Sequence, residues 1–467
     1  MKNIPYYLAV DIGASSGRHI LGAVEQGELT AKEIYRFENS ATMKNGHLCW
    51  DAEALKKHVL EGIRECAKQG IRPVSVGIDT WGVDFAPLDK DGNLVGDIVA
   101  YRDSRTEGMD TLLEQIMPFQ ELYRKTGIAK QPFNTLYQLM AVLGEHPEYR
   151  ETVEDFLLMP EYLSYILTGK KAHEETNLST GALLDASTRT WCTDAIQAAG
   201  MPDKWFHTPV VKAGTVLGKL LPEHVKELGF DTTVILPATH DTGSAYMAVP
   251  ARDDQAVFLS SGTWSLLGTE LTRPQTDADS RAAGFTNEMG YGGTTRYLKN
   301  IMGMWMMQRI RKEIASDSSF DEIASLAAQS AYDCYVDATD SRFFAPENMT
   351  DEVRSALKEQ GAPAPTDNKD LYRAVFLSLA MCYRDSILQI EKLTGKKFTS
   401  VNIVGGGSQN ITLNRMTAAV TGLPVYAGPT EGTALGNLIA QMITSGELKD
   451  LSTARQLIAD SFQIQEY

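Results

Sequence analysis

The stretch Leu236-Pro-Ala-Thr-His-Asp-Thr-Gly-Ser-Ala245 holds a single carboxylate, Asp241, among small residues. An apolar run over 233–236 stops at Pro237, and Gly243, Ser244 and Ala245 open an alanine-rich segment that reads as a helix. A carboxylate where a strand meets a helix can approach a ligand without steric cost, and it can take a proton there. The plainer reading makes Asp241 the cap of that helix, a place that Asp and Thr favour. Glycine-rich turns before and after this stretch favour the chemical reading.

The first such turn is Asp11-Ile-Gly-Ala-Ser-Ser-Gly-Arg18, between a predicted strand over 6–10 and a returning strand over 19–24. A turn of this composition exposes backbone N–H groups, as a polyphosphate requires, and Asp11 at the strand end could hold Mg²⁺ directly or through water. No Gly-Lys-Ser/Thr follows, so it is not a Walker A loop. An ordinary tight hairpin with an Asx turn has the same composition. A similar pattern returns at Ser260-Ser-Gly-Thr263, between strands over 256–259 and 264–268, one residue out of register. That repeat predicts two domains on one plan, each with a phosphate-facing hairpin. Gly405-Gly-Gly-Ser-Gln-Asn410 follows a buried strand over 401–404 and opens a helix; bare backbone there lets a base or ribose lie close.

Sugar chemistry is suggested by Asp79-Thr-Trp-Gly-Val-Asp84 after a strand over 74–78. The Trp81 face can pack on C–H groups while carboxylates accept from hydroxyls, although a buried Trp in a strand-end cluster reads the same. Tyr101-Arg-Asp-Ser-Arg105 and the Phe133–Gln138 block add polar groups between apolar stretches. The Met304–Met307 stripe reads as core.

These groups must be positioned by alternating strands and helices. Asp51 should cap a helix with Leu55, Val59, Ile63 and Cys66 on one face, and Gly70 should end it. A long helix is expected over 370–392, and Thr430 to Gly436 should start a small-residue helix that packs tightly on a sheet. At 467 residues the chain calls for two domains, divided here as 1–243 and 244–467. A net charge of −16 argues against a nucleic acid or an anionic membrane as partner. Five scattered cysteines without a Cys-x-x-Cys fit a reduced, cytoplasmic protein. The early aspartate at position 11 predicts no secretory leader, and no apolar run is long enough to span a bilayer.

Taken in order, the motifs at 11–18, 77–85, 101–105, 240–245, 260–264 and 405–410 resemble the FGGY carbohydrate kinases, from about residue 6 to about residue 445. The Ala14–Arg18 turn, the Trp81–Asp84 and Phe133–Gln138 blocks and Lys299-Asn-Ile-Met-Gly303 are most similar to the members that act on L-rhamnulose. The resemblance implies an α/β fold of two actin-like (ribonuclease H-like) domains. Each would be a mixed sheet flanked by helices, with the active site in the interdomain cleft and closure on binding. It implies Asp241 as the catalytic base, Asp11 at the metal, and Ala14, Ser15, Ser16, Gly17, Arg18 and Thr263 at the phosphates. Gln308, Gly406 and Asn410 would meet the nucleotide, and Gly82, His240, Asp241, Thr242 and Asn300 the sugar. The expected reaction is ATP-dependent phosphorylation of L-rhamnulose at O1, with ATP and Mg²⁺ as cofactors, by a monomer or homodimer. Two other readings are a kinase for L-fuculose or a xylulose, and a non-catalytic sugar or nucleotide sensor. An intact Asp241 speaks against the sensor, which needs no base.

Overall fold

In the computed structural model, which describes residues 4–467, contacts divide the chain into two compact units. One comprises Met1–Ala248, Glu270–Tyr297 and Thr433–Ser461; the other comprises Val249–Thr269, Leu298–Gly432 and Phe462–Tyr467. Each unit is thus discontinuous in sequence, where a division at 243/244 makes a single cut.

In the first unit, β1 (Tyr7–Ile12), β2 (Ser16–Glu25), β3 (Glu28–Glu38), β4 (Ser75–Thr80), β5 (Thr215–Lys219) and β6 (Thr233–Leu236) form a mixed sheet, ordered β5-β6-β4-β1-β2-β3. β1 runs antiparallel to β2 and parallel to β4. Side chains alternate across a strand, and β1 shows the result. Leu8, Val10 and Ile12 join the core with Leu55, Val59, Ile63 and Cys66 of α1 (Ala52–Lys68). Asp51 caps α1, accepting from the Ala54 N–H. The opposite face meets the helix Gly432–Ser445. Tyr7 Oη lies 2.8 Å from Ser445 Oγ, and Gln441 Nε2 donates to Leu8 O. The helix comes close because Gly22 and Gly77 carry no side chain: a Cβ would stand 2.5 Å from Leu438 Cδ1 and 2.4 Å from Asn437 Oδ1.

The second sheet contains β7 (Ala256–Ser261), β8 (Ser265–Leu271), β9 (Thr286–Met289), β10 (Thr295–Ile301), β11 (Ser400–Val404), β12 (Val425–Ala427) and β13 (Gln465–Glu466). Its order is β9-β10-β8-β7-β11-β12-β13. β7 is antiparallel to β8 and parallel to β11, and β11 is parallel to β12. The two sheets therefore share one plan: a first strand with its hairpin partner on one side and two parallel strands on the other. The short sequence repeat marks corresponding hairpins of this plan. In β1–β2 the pair Ile12 and Gly17 closes the turn, whereas Ser261 and Ser265 close the second, one residue tighter. Of the Met304–Met307 stripe, Met306 and Met307 are core residues of a helix over Trp305–Ile314, while Met304 and Trp305 are only half-buried at its start. All five cysteines are free thiols, four of them buried. Among the described residues, no helix is long and apolar enough to cross a membrane.

Candidate active site

Three carboxylates of the first unit lie at or just beyond the C-terminal ends of the neighbouring strands β1, β4 and β6. β1 and β4 run in register, so Asp11 and Asp79 are direct partners, and alternation puts both on the face of the Gly432–Ser445 helix. Beyond β6, an isolated bridge pairs Thr80 with His240, and Thr80 N–H donates to Thr239 O. Asp241 follows at once.

Asp11 is not the end of its strand, since β1 continues to Ile12. Arg18 is not in the turn either: Ser16, Gly17 and Arg18 already belong to β2. Arg18 Nε and a terminal guanidinium nitrogen both lie 2.9 Å from Asp11 Oδ2. Burial pushes the Asp11 carboxyl up against the pull of Arg18. Asp79 is pushed well up, by burial first and then by Asp11. One oxygen of Asp79 accepts from Asn437 Nδ2 at 2.6 Å, while its buried Oδ1 has no hydrogen-bond partner. Asp11 and Asp79 repel unless a proton or a cation lies near them. Among the described residues no group of three or more His, Cys, Asp or Glu could hold a metal ion. This donor set suits a magnesium ion that keeps most of its own water and makes no closed protein cage.

The turn beside Asp11 is held from outside. Gly13 N–H donates to Ser16 O, and Asn39 binds the carbonyls of Gly13 and Ser15 through its side chain and its own N–H. Tying back the carbonyls fixes the backbone of Ala14 and Ser15. Asn39 carried no signal in the sequence beyond its type.

Asp241 is the first residue of α2 (Asp241–Met247), and His240 occupies the capping position without a side-chain cap bond. Asp241 Oδ1 still accepts from the N–H and hydroxyl of Thr242. Asp241 is therefore not the cap, although Thr242 engages one of its oxygens, and the side chain keeps 32% exposure. Glu174 anchors the approach to it. This fully buried carboxylate accepts from the N–H and hydroxyl of both Thr176 and Thr239, at 2.5–3.0 Å. Burial pushes its carboxyl up to about 7, outweighing those donors. Sequence reasoning missed Glu174; the polar run His173-Glu-Glu-Thr-Asn177 between apolar stretches was the available signal. Gly82 belongs to the same corner, where a Cβ would stand 3.0 Å from Thr180 Oγ1 and 3.4 Å from His240 Nε2.

The sugar role expected of Trp81 and Asp84 does not survive. Asp84 accepts from Trp50 Nε1, Trp81 Nε1, the Tyr101 N–H and Gln138 Nε2, at 2.7–3.1 Å. Burial nevertheless pushes its carboxyl up to about 6. Trp81 is 6% exposed and its ring lies 4.2 Å from that of Trp50. The pair is the strand-end cluster, with Asp84 as a hub that ties the 101–105 and 133–138 blocks to it.

In the second unit, the 262–264 turn receives the helix that follows it. Met304 N–H donates to Gly262 O, and Trp305 N–H to Thr263 O at 3.0 Å. Gly303, at φ 59°, makes this approach possible, because a Cβ would lie 2.5 Å from the Trp264 carbonyl carbon. Gln308 is one turn into that helix, its N–H bonded to Met304 O. The 405–407 glycine turn presses on the end of β7: a Cβ on Gly405 would meet Ser261 O at 2.8 Å. Gly406 by contrast is exposed, and a Cβ there would meet nothing within 4 Å. Asn410 spends its Oδ1 as the cap of the helix Ile411–Thr421, accepting from Leu413 N–H at 3.0 Å. Only its Nδ2 end can serve a nucleotide as donor. Asn300, in β10, has a buried Oδ1 without a hydrogen-bond partner.

The expected residues thus fall into two sets. Asp11, the Ala14–Arg18 group, Gly82, His240, Asp241 and Thr242 belong to the first unit; Thr263, Asn300, Gln308, Gly406 and Asn410 belong to the second.

Comparison with known proteins gives consistent matches over both units. Residues 6–248 match the N-terminal domain of the FGGY family of carbohydrate kinases, and residues 257–445 match its C-terminal domain. A rhamnulokinase of Halalkalibacterium halodurans is 45% identical over 464 residues, covering 99% of this chain and 98% of the other. A rhamnulokinase of Oceanobacillus iheyensis is 42% identical over 461 residues, covering 98% and 97%. Among solved structures, gluconate kinase from Lactobacillus acidophilus matches with a TM-score of 0.82 at 17% identity, over 100% of this chain and 93% of the other. Plasmodium falciparum glycerol kinase with ADP gives 0.81 at 14% identity, over 99% and 94%. At such identities the structures speak for the fold, and they agree with two mixed sheets flanked by helices.

Proposed function

We propose the reaction from one premise: this chain belongs to the FGGY family of carbohydrate kinases. The reaction is transfer of the γ-phosphoryl group of ATP to O1 of L-rhamnulose, giving L-rhamnulose 1-phosphate and ADP. Relatives at 39–45% identity over 98% or more of this chain that are named rhamnulokinase support the substrate. The observation that carries the chemistry is Asp241, a part-exposed carboxylate held on a rigid corner by Glu174 and the Thr80–His240 bridge.

Phosphoryl transfer needs positioning and charge neutralisation more than covalent help. Asp241 takes the proton of the O1 hydroxyl as that oxygen attacks phosphorus, since a neutral primary hydroxyl is a poor nucleophile. Gly82, His240, Thr242 and Asn300 hold the sugar. The backbone of the Ala14–Arg18 group and Thr263 hold phosphate oxygens, while Gln308, Gly406 and Asn410 hold the nucleoside. Magnesium, when bound, neutralises charge on the triphosphate, and Asp11 with Asp79 would hold its water shell. The enzyme so described works in the cytoplasm on small molecules, as a monomer or homodimer.

Coupled ADP release measured over L-rhamnulose, L-fuculose and D-xylulose tests the proposal. The expected result is the highest kcat/KM with L-rhamnulose. A tenfold or greater preference for another ketose, roughly 1.4 kcal/mol in transition-state binding, would replace the substrate. No release above the rate with ATP alone, for any sugar, would leave a binding protein in place of an enzyme.

A further inference from the structure

His240 stands between the proposed base and a buried pair of charges that the reaction has not yet used. The residue is 8% exposed, and its Nε2 lies 3.4 Å from Asp241 Oδ1. The same nitrogen faces Gly82, where the sugar is proposed to lie. On the other side of the ring, Nδ1 meets two groups of opposite sign. Arg296 NH2 lies 3.2 Å away in hydrogen-bonding geometry, and Glu288 Oε2 is 3.3 Å away.

Those two neighbours ask for different forms of the imidazole. A guanidinium can only donate, so the nitrogen it addresses must offer its lone pair. An ionised carboxylate can only accept, so it would call for an Nδ1–H. The geometry decides between them. Glu288 Oε2 makes no well-directed hydrogen bond to the ring or to the guanidinium and pairs with Arg296 NH1 by charge at 3.0 Å, whereas Arg296 NH2 does meet Nδ1 in hydrogen-bonding geometry. Arg296 is fully buried and its plane is fixed twice more, by Nε donating to Met289 O at 3.0 Å and NH2 to Thr176 O at 3.1 Å. A guanidinium held this firmly is the stronger partner of Nδ1. Glu288 supplies the counter-charge that permits a buried arginine there. Burial pushes its carboxyl up, but the Arg296 guanidinium beside it holds it below the ordinary carboxylate range, so it carries the charge this role needs.

We propose that Arg296, paired with Glu288, locks His240 in the tautomer with the proton on Nε2, so that a fixed donor stands beside Asp241. Donor and base then address adjacent atoms of one substrate. The Nε2–H takes a sugar oxygen next to the hydroxyl that Asp241 deprotonates, a pattern that a ketose with neighbouring oxygens satisfies. The opposite tautomer would set a lone pair against Asp241 Oδ1 and would offer the sugar oxygen nothing. Arg296 and Glu288 are thus positioning residues that act through His240. The sugar contact rests on the kinase reading above; the tautomer does not.

The closing experiment separates the two. Protein labelled with ¹⁵N in its histidine rings is examined by long-range ¹H–¹⁵N correlation, with His240 assigned by the loss of its signals in His240→Asn. The parent should show Nδ1 as the lone-pair nitrogen and Nε2 as the protonated one. Arg296→Lys can still only donate to Nδ1 and should keep that pattern. The double variant Arg296→Met/Glu288→Met leaves no buried charge without a partner, and its fold is checked by circular dichroism and thermal midpoint. It should show mixed tautomers and a KM for L-rhamnulose raised by about tenfold, with KM for ATP within about twofold of the parent. An Nδ1–H in the parent, or a folded double variant with unchanged tautomer and unchanged sugar KM, would overturn the proposal. Should the double variant not fold, the parent spectrum alone decides. A parent that phosphorylates no sugar yet shows the Nε2–H form would refute the kinase reading and leave the tautomer standing.

Discussion

Glu174→Gln should change how stability depends on pH. The carboxyl titrates near its ordinary 4.5 in the unfolded chain and near 7 in the fold. Below pH 4.5 both states hold the proton, so Glu174 makes its full contribution to stability there. As pH rises from 4.5 to 7 the unfolded chain releases the proton and the fold does not, which favours unfolding; above 7 both have released it. The gap of about 2.5 pH units corresponds to about 3 kcal/mol at about 1.4 kcal/mol per unit. The isoelectric point near 5.0 makes low pH impractical, so thermal midpoints are compared from pH 5.5 upward. About 2 kcal/mol of that loss lies between pH 5.5 and 7, which amounts to roughly 3 °C for a folding unit of the size that holds Glu174. The glutamine has no proton to lose and should lack this component. It carries a separate, pH-independent penalty. Oε2 accepts from three donors and Oε1 from the Thr176 N–H, and an amide can accept on one side only. Its NH₂ would face the Thr176 N–H, at a cost of about 1–3 kcal/mol. Glu174→Gln should therefore melt at or below the parent at pH 5.5 and match or exceed it by pH 7.5. Asp84 and the other shifted carboxyls are common to both proteins and cancel in the difference. Parallel pH profiles would refute the reasoning, because they would mean that four donors outweigh burial and hold the carboxylate ionised throughout.

Asp241→Asn should lose about 10²–10⁴-fold in kcat while sugar affinity by calorimetry stays near the parent's; turnover within a few-fold would mean that the carboxylate only serves the first turn of α2. Gly406→Val should raise KM for ATP and leave sugar affinity unchanged, since nothing lies within 4 Å of a Cβ there and the fold has room for it; equal damage to both affinities would point to a folding defect. Gly436→Ala should fail differently, through stability, because its Cβ would fall 1.8 Å from Ser244 O. A loss above about 3 kcal/mol is expected from the forced separation of two helices, and a variant melting within a degree of the parent would contradict that close approach.

Local chemistry made much of this molecule readable in one dimension. The helix over 52–68, the hairpin at 11–18 and its echo at 260–264 are set by periodicity, by a capping aspartate and by glycines, all of which act over a few residues. Asp241 could be singled out because a carboxylate among small residues is conspicuous wherever it is read. What surrounds it could not be. Asp11 meets Asp79 only through the register of two parallel strands. Glu174 reaches Thr239 across 65 residues, and Arg296 reaches His240 across 56. Asp84 looked available to a sugar because a sequence lists polar groups without their partners, and the fold supplied it with four. The order of residue types determined which groups were able to do chemistry. Strand register and burial, which depend on separations that no local pattern encodes, decided which of them remain able to do it and which are spent holding the others in place.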